Sequence, residues 1–174
     1  MIIRQASEQD FDGIWAIFSP IVKGGETYAY APDTSKEEAR DLWLKAPRAT
    51  YVAAQGEDIL GTYYIKANHP SLGAHVCNAG YMVSPKARGK GLGRAMCLHS
   101  QTEALKLGFK AMQFNLVVST NVGAIKLWQE LGFATVGALP GAFRHSSKGY
   151  VDALVMYKWL EGSQESANFG TTDS

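Results

Sequence analysis

The chain has 174 residues, of which 46% are hydrophobic, enough for one domain with a full core. Its 17 basic and 16 acidic residues give a formal net charge of +1, so the overall charge predicts neither a nucleic-acid-binding nor a membrane-surface protein. The two cysteines, Cys77 and Cys97, have neither metal-ligand spacing nor the density of a disulfide scaffold, so we expect reduced thiols. Without a membrane-spanning apolar run or a signal-peptide pattern, we expect a cytoplasmic protein with no membrane partner.

The first part of the chain predicts one strand and two helices. Residues 2–4 form the strand, and Ser7 is a suitable N-cap for a helix that we expect to end at Pro20. An irregular segment, 23–32, follows. The segment Asp33-Thr34-Ser35 then begins a second helix, because Glu37 and Glu38 occupy its first turn.

The rest of the chain predicts the main sheet. Residues 51–54 and 59–65 form a hairpin, and 76–83 is a strand that leads into a glycine-rich turn. The remaining expected elements are a helix at 92–107, a strand at 111–118, a helix at 121–131, and strands at 133–139 and 150–159. We expect one domain over residues 1–160 and a polar, frayed or disordered tail over 161–174.

The turn between the strand at 76–83 and the following helix is basic and rich in glycine. Such a turn directs free backbone N–H groups and a helix N terminus at one point, which suits a phosphate. The glycines at 89, 91 and 93 do not fit the dinucleotide pattern G-x-G-x-x-G, and the P-loop pattern is absent. For this segment alone, phosphate binding has an equal alternative: the turn only connects the strand to the helix, and its basic side chains are solvated.

A second motif follows at a characteristic distance. Arg88-x-x-Gly91-x-Gly93, followed by a segment that begins at Asn121 and reads N-V-G-A-I-K-L-W-Q-E-L-G-F, resembles the paired signature of the GNAT superfamily of acyl-CoA-dependent N-acyltransferases. The order of elements is also similar from the first strand to Trp159. Segments 77–81, 114–121 and 149–153 further resemble the branch with the yeast acetyltransferases that detoxify the proline analogue azetidine-2-carboxylate.

The resemblance implies an α/β fold: a mixed, mostly antiparallel sheet of about seven strands flanked by about four helices. Its fourth and fifth strands would splay apart and admit the pantetheine arm of acetyl-CoA. Free backbone groups of Met82 and Val83 would pair with the arm, and one N–H there would polarise the thioester carbonyl. Asn121 would contact pantetheine, or act only as an N-cap. The pyrophosphate would be held by N–H groups of the turn, at Arg88, Gly89, Lys90, Gly91, Leu92, Gly93 and Arg94.

Trp128 departs from the superfamily pattern, which usually has a tyrosine there to protonate the leaving thiolate. An indole N–H donates a hydrogen bond but does not give up its proton. Since N–H dipoles can stabilise a thiolate, we expect a working enzyme that lacks this acid, with Trp128 beside the cofactor. The alternative is that Trp128 is only a core residue.

Two asparagines lie inside apolar strands, where an amide needs hydrogen-bond partners. If Asn78 and Asn115 face the cleft, they can orient the acceptor amine as catalytic residues, but structural hydrogen bonding is the alternative for each. Other candidates on the acceptor side are ordinary solvent-exposed residues in the alternative interpretation, except for two tyrosines that would then simply pack. They are Glu26, His145, Tyr150 and Asp152 as bases, Arg144 for a substrate carboxylate, and Tyr28 and Tyr30 as pocket walls.

The predicted function is transfer of an acetyl group from acetyl-CoA to the nitrogen of a small amine, an amino acid or imino acid, by direct attack. One alternative is acetylation of a protein N terminus or lysine. Another is a non-catalytic acyl-CoA-binding or sensing domain, which Trp128 suggests. The histidines lack metal-ligand spacing, and no basic helix suits DNA, so we expect no metal and no nucleic-acid partner. A homodimer is possible, because GNAT relatives are often dimers.

Overall fold

The computed structural model describes residues 1–160, which form a seven-stranded sheet with helices on both faces. The predicted polar tail, 161–174, lies outside the described residues. The strands are β1 (Ile2–Gln5), β2 (Ala49–Gln55), β3 (Asp58–Ala67), β4 (Val76–Val83), β5 (Ala111–Val118), β6 (Ala134–His145) and β7 (Gly149–Trp159). The helices are α1 (Phe11–Gly24), α2 (Lys36–Arg40), α3 (Leu92–Lys106) and α4 (Val122–Glu130).

The strand order is β1-β2-β3-β4-β5-β7-β6, and every neighbouring pair is antiparallel except β4 and β5. The parallel pairing joins only three positions, from Val76 opposite Ala111 to Asn78 opposite Gln113. Beyond them the two strands separate. The mixed sheet with a splay between the fourth and fifth strands is therefore confirmed.

The alternation of side chains along the strands supplies one core on each face of the sheet. On the α3 and α4 face, Tyr63 and Met112 pack with buried residues of α3, including Cys97. On the α1 and α2 face, Trp43 and Tyr64 pack against α1. Both cysteines are buried free thiols, as the sequence predicts.

Helix α1 continues past Pro20, so the predicted helix end is wrong. Proline removes one intrahelical donor, but burial of Phe18 and Val22 on either side of it keeps the segment helical. The helix instead ends at Gly25, whose φ of 62° is in the left-handed region that favours glycine.

Strand β6 is longer than predicted and extends through the segment that we expected to be a loop after Leu139. Pro140 is tolerated because β6 is the last strand in the sheet, where a missing N–H leaves no ladder position unfilled. An irregularity between Leu139 and Phe143 absorbs extra residues, and the Asp152 carboxylate accepts a hydrogen bond from the Gly141 N–H at 2.9 Å. The hairpin turn between β6 and β7 is therefore only three residues, 146–148.

Candidate active site

A cleft opens where β4 and β5 separate. It encloses about 870 Å³ and is lined by the unpaired ends of both strands, the segment after α1, the glycine turn and α4. Strand β5 is shaped for this opening, because Asn115 and Leu116 together oppose Val155 alone on β7. Such a bulge bends the strand and turns its side chains. The cleft passes through the sheet, with α3 and α4 on one side and the segment after α1 on the other.

The register between β3 and β4 determines which backbone groups of β4 face the cleft. Hydrogen bonds from Ser84 N–H to Leu60 O (2.8 Å) and from Asn68 N–H to Val76 O (2.9 Å) fix the bonded pairs at even-numbered residues of β4. The backbone groups of Met82 therefore point to β3. This corrects the expectation that Met82 offers free groups, because the odd-numbered Tyr81 and Val83 point toward β5 instead.

The glycine turn can hold a diphosphate through its main chain. Gly89 and Gly91 have φ of 73° and 74°, and Gly91 is the N-cap of α3 without a capping side chain. The Gly91 carbonyl accepts from Ala95, which leaves the N–H groups of 92–94 without acceptors inside the helix. These donors and the helix dipole point at the same spot, so the residues present fit the anionic part of coenzyme A.

The side chains of the glycine turn contribute less to anion binding than their positive charges predict. Arg88 lines the cleft, and Lys90 is exposed. The guanidinium of Arg94 forms an ion pair with the Glu130 carboxylate of α4. Leu92 is buried, so only its N–H faces outward. In this structure Arg94 therefore joins α3 to α4 and contributes to anion binding through its N–H.

Asn121 and Trp128 both line the cleft on the α4 side. The Asn121 side chain also accepts a hydrogen bond from the Ala124 N–H at 3.4 Å, so it is an N-cap. Trp128 is 8% exposed and packs against Tyr81 and Phe114, with ring centroids 5.1 and 5.0 Å apart. Within residues 1–160 its indole N–H has no hydrogen-bond acceptor. Trp128 is thus both a core residue and a wall of the cleft.

The two asparagines have different surroundings. Asn78 is 6% exposed, accepts from the Tyr64 hydroxyl at 3.0 Å and donates to the Gln113 carbonyl at 3.0 Å. It therefore joins β3 and β5 across β4, at the last paired position before the cleft. Asn115 is exposed, and its side-chain NH₂ donates to Asn68 at 2.6 Å. Only Asn115 keeps its amide at the solvent-accessible part of the cleft.

The segment after α1 covers the other side of the cleft with aromatic residues. Tyr28 stacks on Tyr30 with ring centroids 5.7 Å apart, and both line the cleft with Tyr64 and Glu26. Burial raises the pKa of Tyr28 and Tyr64 above their usual value, so both hydroxyls stay protonated. The Ser146 N–H, in the turn between β6 and β7, donates to Gly25 O at 3.0 Å. This bond joins the segment after α1 to the turn between β6 and β7.

The remaining predicted residues lie away from the main cleft. His145 is buried beside a smaller cavity of about 230 Å³ that it shares with Glu26. Its Nδ1 accepts from the Ser147 N–H at 3.1 Å, so this ring nitrogen already has a partner in the β6–β7 turn. Arg144 and Asp152 are exposed and do not line either cavity. The expectation that they face the acceptor is corrected, because β6 continues as a strand.

Two tyrosines that line the cleft were not among the predicted site residues. Tyr64 and Tyr81 lie in apolar strands, where a tyrosine is typical of an ordinary half-buried position. Their hydroxyl groups were the available signal, because a buried hydroxyl needs a partner. Across residues 1–160, no group of three His, Cys, Asp or Glu side chains is arranged to hold a metal ion. In the same residues no helix is both long and apolar enough to cross a membrane.

A sheet that opens at its parallel pair, beside a helix N terminus with free N–H groups, is the architecture of an acyltransferase that uses a coenzyme A thioester. The chain belongs to the GNAT acetyltransferase family, whose model matches residues 13–133. It is an acetyl-CoA-dependent N-acetyltransferase, which sets aside the non-catalytic alternative.

Individual relatives agree with this assignment. The chain is 34% identical to the N-acetyltransferase aca1 of Schizosaccharomyces pombe over 163 residues, which cover 84% of this chain and 78% of that protein. A GCN5-related N-acetyltransferase from Kribbella flavida has a TM-score of 0.86 and 44% identity, covering 91% of this chain and 97% of that one. A phosphinothricin acetyltransferase from Sinorhizobium meliloti, in complex with AcCoA, shares the fold (TM-score 0.81, 24% identity, 95% and 91% covered).

Proposed function

We propose that this N-acetyltransferase acetylates the nitrogen of a small amine, of the amino-acid or imino-acid class. The observation that carries the proposal is the aromatic wall of the cleft opposite α4. There the segment after α1 is bound to the turn between β6 and β7 by the Ser146–Gly25 hydrogen bond, and stacked Tyr28 and Tyr30 form a wall. Such a pocket has room for a compact acceptor and lacks an open groove for a peptide.

The reaction that fits this site is direct attack. Acetyl-CoA supplies an activated carbonyl carbon; the amine nitrogen forms a bond to it while the carbon–sulfur bond breaks and the electron pair leaves on sulfur. N–H groups of Tyr81 or Val83, which point into the cleft, are placed to stabilise charge on the carbonyl oxygen. Asn115 is the side chain that we assign to positioning the acceptor, because its amide is exposed beside the splayed strands.

Removal of the amine proton needs a base or an ordered water, since an alkylammonium has a pKa of about 10.4. Glu26 is the carboxylate that lines the cleft, and we assign it this role, directly or through water. Imino acids related to azetidine-2-carboxylate are the first acceptors to test. The similarity to an S. pombe N-acetyltransferase is compatible with that narrower class.

A coenzyme A release assay over an acceptor panel tests the proposal. The panel contains azetidine-2-carboxylate, 4-hydroxyproline, primary amino acids, a peptide with an N-terminal alanine and a lysine peptide. We expect thiol release with a small amine, the N-acetyl product identified by mass spectrometry. Asn115→Ala should lower kcat and leave the Kd for acetyl-CoA unchanged. Acetylation of the peptides alone would refute the small-amine assignment and favour the protein acceptor.

A further inference from the structure

One side chain from the acceptor side reaches the backbone edge that faces the cleft. The Tyr28 hydroxyl donates a hydrogen bond to the Tyr81 carbonyl oxygen at 2.7 Å. Since Tyr81 is at an odd-numbered position of β4, this oxygen points away from β3 and into the opening between β4 and β5. The hydroxyl of Tyr28 therefore lies in the cleft, at the edge along which a strand-like arm would pair.

The position of this hydroxyl is fixed by packing of its ring against two aromatic neighbours. The Tyr28 ring lies 5.7 Å from Tyr30 in a parallel stack, with an interplanar angle of 4°. It also meets Trp43 edge-on at 5.8 Å, and Trp43 is fully buried. A donor that is held in place by such contacts needs little reorganisation when charge develops beside it.

The Tyr28 hydroxyl also stays protonated. Burial raises the pKa of the phenol well above its usual value, with smaller contributions from Tyr64 and Tyr30. A phenol in this state is a poor proton-transfer acid but a good neutral hydrogen-bond donor. Trp128, on the opposite wall, offers an indole N–H but no hydroxyl, so Tyr28 and Trp128 are different kinds of donor on the two sides of the cleft.

We propose that the Tyr28 hydroxyl is a catalytic hydrogen-bond donor to the thioester carbonyl oxygen of bound acetyl-CoA. A strand-like arm that pairs with β4 brings an amide N–H to the Tyr81 oxygen, and the hydroxyl then turns about its C–O bond. As the amine nitrogen bonds to the carbonyl carbon, the oxygen gains negative charge, and the Tyr28 O–H stabilises it without losing its proton. The extra electron pair on oxygen then re-forms the C=O bond as the carbon–sulfur bond breaks and its electrons leave on sulfur. This role supplements the main-chain donors of β4.

This inference rests on acetyl-CoA as the co-substrate and not on the identity of the acceptor. Its test is isotope-edited infrared spectroscopy of acetyl-CoA that carries ¹³C in the thioester carbonyl, bound to the parent, to Tyr28→Phe and to Tyr30→Phe. Tyr30→Phe is the matched control, since it removes a hydroxyl from the same ring stack but not one bonded to β4. Calorimetry first verifies that each protein binds acetyl-CoA.

We expect the carbonyl band of the parent complex to lie below that of free acetyl-CoA, because hydrogen bonding weakens the C=O bond. Tyr28→Phe should move the band back toward the free position, and Tyr30→Phe should leave it in place. Site-specific 3-fluorotyrosine at position 28, a stronger donor, should move it further down, so the inference is tested even if Tyr28→Phe folds poorly. An unchanged band in Tyr28→Phe or in the fluorotyrosine protein would overturn the assignment.

Kinetics separates this inference from the proposed acceptor. With an accepted amine, loss of one such donor should lower kcat by about 10²-fold with acetyl-CoA affinity preserved. A raised KM for the amine alone would show that Tyr28 is only a wall. If the band depends on Tyr28 but no small amine is acetylated, the acceptor class is wrong and the donor assignment stands. If small amines are acetylated but the carbonyl band does not change in Tyr28→Phe, the donor assignment is wrong and the acceptor class stands.

Discussion

The change Asn78→Ala should destabilise the fold far more than its position beside the cleft suggests. The side chain accepts from the Tyr64 hydroxyl and donates to the Gln113 carbonyl, each at 3.0 Å. Two such bonds contribute about 1 kcal/mol each, and an unpaired buried hydroxyl costs about 1–3 kcal/mol more. Tyr64 is only 6% exposed, so its hydroxyl loses this partner in a largely buried position. The expected loss of unfolding free energy is about 3 kcal/mol.

Scanning calorimetry, with urea unfolding as a second measurement, reports this loss. For a chain of this size about 3 kcal/mol corresponds to a Tm decrease of about 6–12 °C. Asn115→Ala is the matched control: it removes the same amide from an exposed position, where we expect a cost below about 1 kcal/mol. If Asn78→Ala keeps the parent Tm and loses only turnover, the structural assignment is wrong and Asn78 acts on the acceptor.

Three further predictions concern the cofactor turn, the α4 wall and acid stability. Gly91→Ala places a Cβ at a φ of 74°, which costs about 1 kcal/mol, and the free turn can relieve this strain by shifting its N–H groups. Because binding must restore their positions, calorimetry should show acetyl-CoA affinity weakened by about fivefold, and an unchanged Kd would count against main-chain anion binding. Trp128→Phe should keep kcat within about threefold, since no proton passes through the indole; collapse of turnover in a folded variant that binds acetyl-CoA contradicts this. The Arg4 hydrogen bond lowers the pKa of Asp10 to about 2 from 3.8, so the pair stabilises the fold fully above pH 3.8 and loses this effect as the pH falls through about 2. Asp10→Asn should therefore cost about 1–2 kcal/mol at pH 7 and almost nothing near pH 2; a cost that does not change with pH in unfolding titrations would refute the linkage.

The overall fold was predictable because local signals agree with long-range pairing through most of the chain. The strand at 76–83 is a mostly apolar run that ends before Pro85, and the helix after the glycine turn ends before Gly108. The end of α1 was not predictable, since the loss of one donor at Pro20 competes with burial that only the packed structure reveals. The extension of β6 was hidden in the same way by Pro140, which only an edge strand tolerates.

The site was predictable at the level of motifs but not of individual groups. Gly91 and Asn121 lie beside the cleft because their spacing follows the elements that carry them. Whether Tyr81 or Met82 offers free backbone groups depends on the parity of a hydrogen-bond ladder, which the sequence does not encode locally. The partners of Asn78 come from β3 and β5, at sequence separations that no local pattern reports.

The buried cysteines have a practical consequence for measuring this enzyme. Cys77 and Cys97 are each 0% exposed, and burial raises their pKa to about 12 and about 11. Thiol–disulfide exchange needs an accessible thiolate, so neither residue should react with chromogenic disulfide reagents while the protein stays native. Colour that develops during turnover then counts released coenzyme A alone. The same inertness protects the protein from forming mixed disulfides with its own thiol product.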